Sequence, residues 1–200
     1  STTINAGNLP ISGGNAIVNN GTVILANTAG VNFNVNASET IGTLQGGGAT
    51  GGTVNIAASQ TLTVNQTSDQ TFAGVIAGST GALTKIGANT LTLSGANTYT
   101  GTTTISAGNL TISGGSAIAN TGTVTLANTA GVGFNVNSSE TIASLQGGGS
   151  TGGNVTIASA QTLTVAEAGT QTFAGSLQGS GDFTKSGVGT LTLNGTNTNS

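Results

Sequence analysis

Ile4 is answered by Ile105, Phe33 by Phe134, Glu39 by Glu140 and Phe72 by Phe173, each 101 residues further along. After the turn GSTG at Gly78 to Gly81, whose partner is the shorter GSG at Gly179 to Gly181, the offset falls to 100 and pairs Lys85 with Lys185 and Leu93 with Leu193. A residue lost in a turn without loss of register is the behaviour of a loop that joins repeated structural units. The chain therefore reads as two copies of one unit, residues 1–101 and 102–200. The join NTYTGTTTI, Asn97 to Ile105, has its counterpart divided between NTNS at residues 197–200 and STTI at residues 1–4. From this the two copies are expected to be a continuous excerpt of a longer array.

Within each copy the apolar residues recur with period two. TLTV at Thr61 to Val64, TLTL at Thr90 to Leu93, VTL at Val124 to Leu126 and FNV at Phe134 to Val136 alternate an apolar residue with Thr or Asn. That alternation is the mark of a half-buried strand, and no segment sustains helical spacing. Glycine-rich corners such as GGGATGG and GGGSTGG separate the strands. Val and Thr favour the pleated backbone, while Gly and Asn tolerate the positive φ angles of tight corners.

Composition narrows the function. Only 4% of residues are charged; Lys85 and Lys185 are the sole cations, against Glu39, Asp69, Glu140, Glu167 and Asp182. No basic patch exists for phosphates, so nucleic-acid binding is excluded. His, Cys, Met, Trp and Arg are absent, which removes disulfides, thiolate metal sites and any His-activated nucleophile. No apolar run reaches the ~20 residues of a membrane-spanning helix. STTINAGNLP does not read as a signal peptide, so an export signal is expected outside these residues.

Short, evenly spaced strands suit a sandwich, a barrel or a solenoid. A β-solenoid needs only a narrow apolar column, accepts a repeat longer than one coil and extends indefinitely, which fits 35% hydrophobic and 3% aromatic residues. Two or three strands per coil imply about 20 to 30 residues per coil and roughly seven to ten coils at ~4.8 Å each. Asn, Thr and Ser on adjacent coils are expected to form hydrogen-bonded ladders outside.

LTKIGANTLTLSGANTYTGTTTISAGNL, Leu83 to Leu110, resembles the autotransporter-associated β-strand repeat, also called the passenger-associated transport repeat, of type V secretion passengers. A second match runs from Phe183 through TKSGVGTLTLNGTNTNS, where Asn199 stands in place of the usual Tyr. The resemblance implies an all-β, right-handed parallel β-helix and an exported protein of the bacterial cell surface. It says little about activity.

Individual residues yield no catalytic, cofactor or metal site. Glu39 and Glu140, each in an SETI context one copy apart, are expected on a solvated edge, several coils from each other. A glycosidase needs two carboxylates close together across a sugar, and none are paired in the sequence. GSGDF at Gly179 to Phe183 has a faint likeness to a calcium-binding repeat, but its counterpart GSTGAL lacks the Asp. Lys85 and Lys185 are expected to lay their stems over the coil with the ammonium in water. Tyr99 and the five Phe are expected in the core or at corners.

Three function classes follow. The leading one is a non-catalytic structural component of an extracellular fibre, stalk or layer, self-associating through further repeats or identical subunits and through lateral contacts. The alternative is an adhesin or other binding module for a host surface or polysaccharide, including ice through Thr rows, although Asn and Gly are expected to interrupt those rows. An enzyme acting on polysaccharide comes third, on fold analogy alone.

Overall fold

Apolar–polar alternation fixes the local conformation, and the computed structural model, which describes residues 1–200, consists of short strands and turns. The strands run two to five residues and pair in parallel. Partners lie 19 to 26 positions apart, from Leu91 over Leu110 to Gly46 over Phe72. The chain is thus a β-solenoid of three strand positions per coil, and about nine coils at ~4.8 Å give a rod of ~43 Å.

The coil has three faces. The first is a nine-stranded sheet from Thr2–Ile4 to Leu177–Gly179, and the third an eight-stranded sheet from Glu39–Ile41 to Thr190–Leu193. The second face is divided into a four-stranded sheet, Asn8–Ile11 to Ile76–Ala77, and a three-stranded sheet, Glu140–Ile142 to Asp182–Ser186. Side chains bridge the division. Ile76 donates its N–H to Asn97 Oδ1 at 2.7 Å, Asn97 Nδ2 donates to Ala117 O at 2.6 Å, and Ala117 donates its N–H to Glu140 Oε2 at 2.7 Å.

Inward residues of every coil merge into one apolar column that encloses Phe33, Phe72, Tyr99, Phe134 and Phe173 completely. Each fully buried Leu, Ile or Phe contributes about 1.5–3 kcal/mol. Where the third-face-to-first-face and first-face-to-second-face corners are tightest, glycines stack directly. A Cβ on Gly74 would lie 1.9 Å from Gly52 O, and one on Gly95 would lie 1.9 Å from Gly74 O. Gly153, Gly175 and Gly195 repeat that column with the same 1.9 Å approaches.

The two copies do not occupy the same faces. Val23–Leu25 and Leu44–Gly46 lie on the first face, but their counterparts Thr123–Leu126 and Ser144–Gly147 lie on the third. Asn32–Val35 of the second face becomes Gly133–Val136 of the first, and Thr61–Asn65 of the third becomes Thr162–Ala166 of the second. The cause is arithmetic. One copy has twelve strands plus two segments, residues 16–18 and 97–99, that hold a face without forming a strand. Fourteen positions on three faces make four coils and two-thirds of a fifth, so each copy starts one face out of phase with the last.

Candidate functional site

The charged residues that sequence alternation places inside do go inside. Glu39 is 2% exposed and Glu140 4% exposed, so the expected solvated edge is corrected: in both SETI strands the Glu and Ile point inward and the Thr outward. Their role follows from a break in the ladder. Residues 16–18 and 117–118 turn away from strand geometry next to Asn15 and Ser116 at positive φ, leaving N–H groups without a strand carbonyl. Ala16 and Ile17 donate theirs to Glu39 Oε2 and Oε1 at 2.9 and 3.3 Å, and Ala117 donates to Glu140 at 2.7 Å. A buried carboxylate thus stands in for the absent strand carbonyl, beside the longer turn bonds that Ala16 and Ala117 make to Gly13 O and Gly114 O at 3.2 and 3.1 Å.

Glu140 keeps Oε1 without a partner. Burial pushes its carboxyl up to about 7, against the opposing pull of the Ala117 and neighbouring backbone N–H groups. Glu167, 3% exposed, accepts from Ser144 Oγ at 2.6 Å and from Gly169 N–H at 3.0 Å. Its first-copy counterpart is the neutral Gln66, equally buried, with Nε2 unpartnered. Glu39 lies on the third face and Glu140 on the second, several coils apart, so no catalytic pair forms. No three carboxylates gather at one place.

Lys85 also departs from expectation. It is fully enclosed, and its ammonium donates to Ile86 O and Gly87 O at 2.8 Å and to Ala107 O at 3.0 Å, instead of standing in water. The alternation Leu83 in, Thr84 out, Lys85 in directs it there, and the turn at Gly87, φ 80, aims two carbonyls at it. Burial lowers its pKa to about 8, with the Asp69 carboxylate acting the other way. Tyr99, as expected, is core; its hydroxyl bonds Thr103 Oγ1 at 2.7 Å, and burial raises it above the usual tyrosine range. Continued period-two counting through Lys85 and Glu39 was the signal for their inward direction.

With four of the seven charged side chains turned inward, the outer surface is mostly uncharged and polar, with Asp69, Asp182 and Lys185 exposed. Thr40, Thr63, Thr84, Thr104 and Thr125 are successive register partners on the third face, ending at Gln146, whose Nε2 donates to Thr125 Oγ1 at 2.9 Å. On the first face the row Thr71, Thr92 and Thr111 is interrupted by Asn135 before Thr156, as expected, so the third-face row is the longer uninterrupted run. The counterpart row, Thr141, Thr164 and Thr184, runs on the second face. On the second face of the first copy Asn32 Nδ2 donates to Asn8 Oδ1 at 2.7 Å and Asn55 Nδ2 to Asn34 Oδ1 at 2.8 Å, a ladder of the expected kind.

Two shallow clefts occupy the glycine corners at equivalent places in the two copies. The first, about 450 Å³, is walled by Ala49, Ala73, Val75, Ala96 and Ser94; the second, about 400 Å³, has Ser150, Ser176, Thr196 and Asn194 in place of Ala49, Val75, Ala96 and Ser94. A third cleft of about 240 Å³ is lined by hydroxyls of Ser116, Ser139, Thr141, Thr162 and Thr164 beside Glu140. Each has at most one carboxylate in its wall.

Residues 83–112 and 183–200 match the family model described as the passenger-associated-transport-repeat. The fold explains the first match residue by residue. Leu83, Lys85, Leu91, Leu93, Asn97, Tyr99, Thr103 and Ile105 are all buried, and Gly95 and Gly101 have no space for a Cβ. That segment is where the first copy hands over to the second. Among curated proteins the chain is similar to the adhesin BmaC autotransporter of Brucella suis biovar 1 (strain 1330), with 34% identity over 128 residues. The match covers 62% of this chain and 4% of the relative, so the chain spans a small part of that protein's length. No solved structure matches the chain.

Proposed function

We propose that these coils form a rigid, non-catalytic, adhesive stretch of an exported bacterial surface protein, self-associating through further copies of the repeat. The observation that carries this reading is the division of labour between inside and outside. Glu39, Glu140, Glu167 and Lys85, four of the seven charged side chains, are buried and committed to hydrogen bonds that hold the coils together, and of the exposed three Asp69 stands in a loop and Asp182 and Lys185 in the strand Asp182–Ser186. Outside stand rows of Thr and Asn and hydroxyl-lined clefts, suited to many weak contacts with a neutral polar surface such as a polysaccharide. Likeness to an autotransporter adhesin and to the passenger repeat supports the cell surface as the location.

The test is retention of protein-coated beads on immobilised polysaccharide and on host cells, with Thr63→Lys, Thr84→Lys and Thr104→Lys combined as the variant. Retention is expected to fall severalfold while the β-sheet circular dichroism is unchanged. Equal retention by the variant, or release of reducing ends from the polysaccharide, refutes the reading.

The unbroken Thr row favours ice as a second ligand for the same face. Thermal hysteresis that disappears in the triple-Lys variant supports that ligand, and none in the unaltered chain dismisses it.

A further inference from the structure

One strand position is filled differently in the two copies. In the first copy Asn8 and Asn32 are register partners on the second face, and so are Asn34 and Asn55 two residues along the strands. Their amides satisfy one another. Asn32 Nδ2 donates to Asn8 Oδ1 at 2.7 Å, and Asn55 Nδ2 donates to Asn34 Oδ1 at 2.8 Å and to Asn32 Oδ1 at 3.4 Å. Asn32 thus joins three coils. Its counterpart is Gly133, which stands in register between Asn109 and Asn154 on the first face. Gly133 lies in the strand Gly133–Val136 and is not at positive φ, so the backbone has no need of a glycine there.

Without that side chain the ladder is open. Asn109 loses the partner that Asn8 has, and its Oδ1 leans over the place where a Gly133 Cβ would stand. Asn154 accepts the Ser176 N–H on Oδ1 at 3.1 Å, which leaves its Nδ2 free to donate. Asn135 keeps one bond, from Nδ2 to Thr111 Oγ1 at 3.2 Å. Gln178, in register with Thr156, replaces Ala77 and adds a further amide to the same surface.

A cleft of about 250 Å³ opens there, walled by Asn109, Asn135, Asn154, Thr156 and Gln178. It shares Thr151, Gly152 and Asn154 with the cleft of about 400 Å³ at the glycine corner, so the two make one groove that runs from the first face into the corner before it. No charged residue stands in its wall, and Val132 and Ala174 are its only apolar side chains. An ion finds no opposite charge in such a groove, and a lipid or an aromatic ring finds no apolar seat. Amides and hydroxyls both donate and accept, which matches the hydroxyls of a neutral glycan.

We infer that this groove is a glycan site of the second copy. It takes a neutral oligosaccharide longer than one sugar, and Asn109, Asn154 and Gln178 hydrogen-bond its hydroxyls. The amides that the first copy spends on its own ladder are turned over to a ligand in the second. The inference rests on the adhesive reading above and adds a defined site to the weak contacts of the Thr row.

Gly133→Asn tests it by giving the second copy the side chain of the first. The Asn109 Oδ1 that a Cβ would meet is the free end of a side chain and can swing to accept from the introduced amide, so the β-sheet circular dichroism is expected to be unchanged and the melting temperature no lower. Binding is read on an array of neutral, sulfated and amino-bearing oligosaccharides, followed by titration with the tightest binder. The unaltered chain is expected to prefer neutral glycans, with affinity rising from disaccharide to hexasaccharide. Gly133→Asn is expected to lower that affinity at least about tenfold, and Gln178→Ala, which leaves the groove open, about 2- to 10-fold, the worth of one hydrogen bond. Should Gly133→Asn melt lower, Gln178→Ala decides. Undiminished binding by both variants overturns the groove, and a loss in the triple-Lys variant of the third face then leaves the adhesive reading standing. Preference for sulfated or amino-bearing glycans overturns the neutral class, and equal affinity for disaccharide and hexasaccharide overturns the continuous groove. Binding of no glycan by the unaltered chain overturns the groove and the polysaccharide reading together.

Discussion

Lys85 and Lys185 sit at equivalent places in the two copies, each bonded to two carbonyls of its own turn, yet one is enclosed and the other exposed. Their difference is the next coil. Ala107 and the strand Thr103–Ile105 close over Lys85, and no strand pairs with the outer edge of Asp182–Ser186. In a solenoid a residue's environment is set by neighbours about one coil away, so stability is a sum of coil terms and coil–coil interfaces. Identical motifs are therefore energetically equivalent only where both neighbours are present.

Substitutions can break or sharpen that comparison. The largest effect is expected where both copies are interior: Gly74→Ala and Gly175→Ala each push a Cβ to 1.9 Å from a carbonyl, and each should cost more than about 4 kcal/mol by urea unfolding. Unequal losses would show that the copies differ beyond the missing coil. Next, Lys85→Ala strands three buried carbonyls and should cost about 3 kcal/mol, while Lys185→Ala should stay within about 0.5 kcal/mol. Similar losses would mean that the ninth coil is covered in solution.

A pH series separates the copies in another way. The Glu140 carboxyl holds its proton up to about pH 7 when folded, above its ordinary 4.5. The folded state therefore binds the proton more tightly than the unfolded chain, and this contribution is full below pH 4.5 and is lost as pH rises through 7. Glu140→Gln should flatten that decline in a thermal-melt series across the window, and an undiminished slope would place the titrating group elsewhere. The smallest effect is expected for Asn199→Tyr, which restores the aromatic of Tyr99 where nothing encloses it. Its melting curve should move by less than the equivalent of about 0.5 kcal/mol.

Much of the fold was legible beforehand. Alternation in TLTV and TLTL, glycine corners and the offset of 101 led to parallel coils, and the inward Phe and Tyr99 followed from the same periodicity. Two readings failed for one reason. Charge alone places Glu39, Glu140 and Lys85 in water, although period-two counting points them inward, and the donors to the two carboxylates and one of the three acceptors of Lys85 come from residues 22 or 23 positions distant. Interruption of the Thr rows by Asn holds on the first face at Asn135, whereas the five-residue run of Thr40, Thr63, Thr84, Thr104 and Thr125 emerges only in the fold, because its members come from separate strands with uneven spacing.

By itself the sequence determined what is local: strands from alternating sterics and burial, corners from glycine, and two copies from self-similarity. Tertiary structure alone decided which face each strand occupies. Corners differ in length, so coils of 19 to 26 residues keep the hydrogen-bond ladder aligned, and fourteen positions per copy do not divide by three. The second copy is consequently turned by one face, because the unpaired edge left by the first is where its backbone hydrogen bonds can be made.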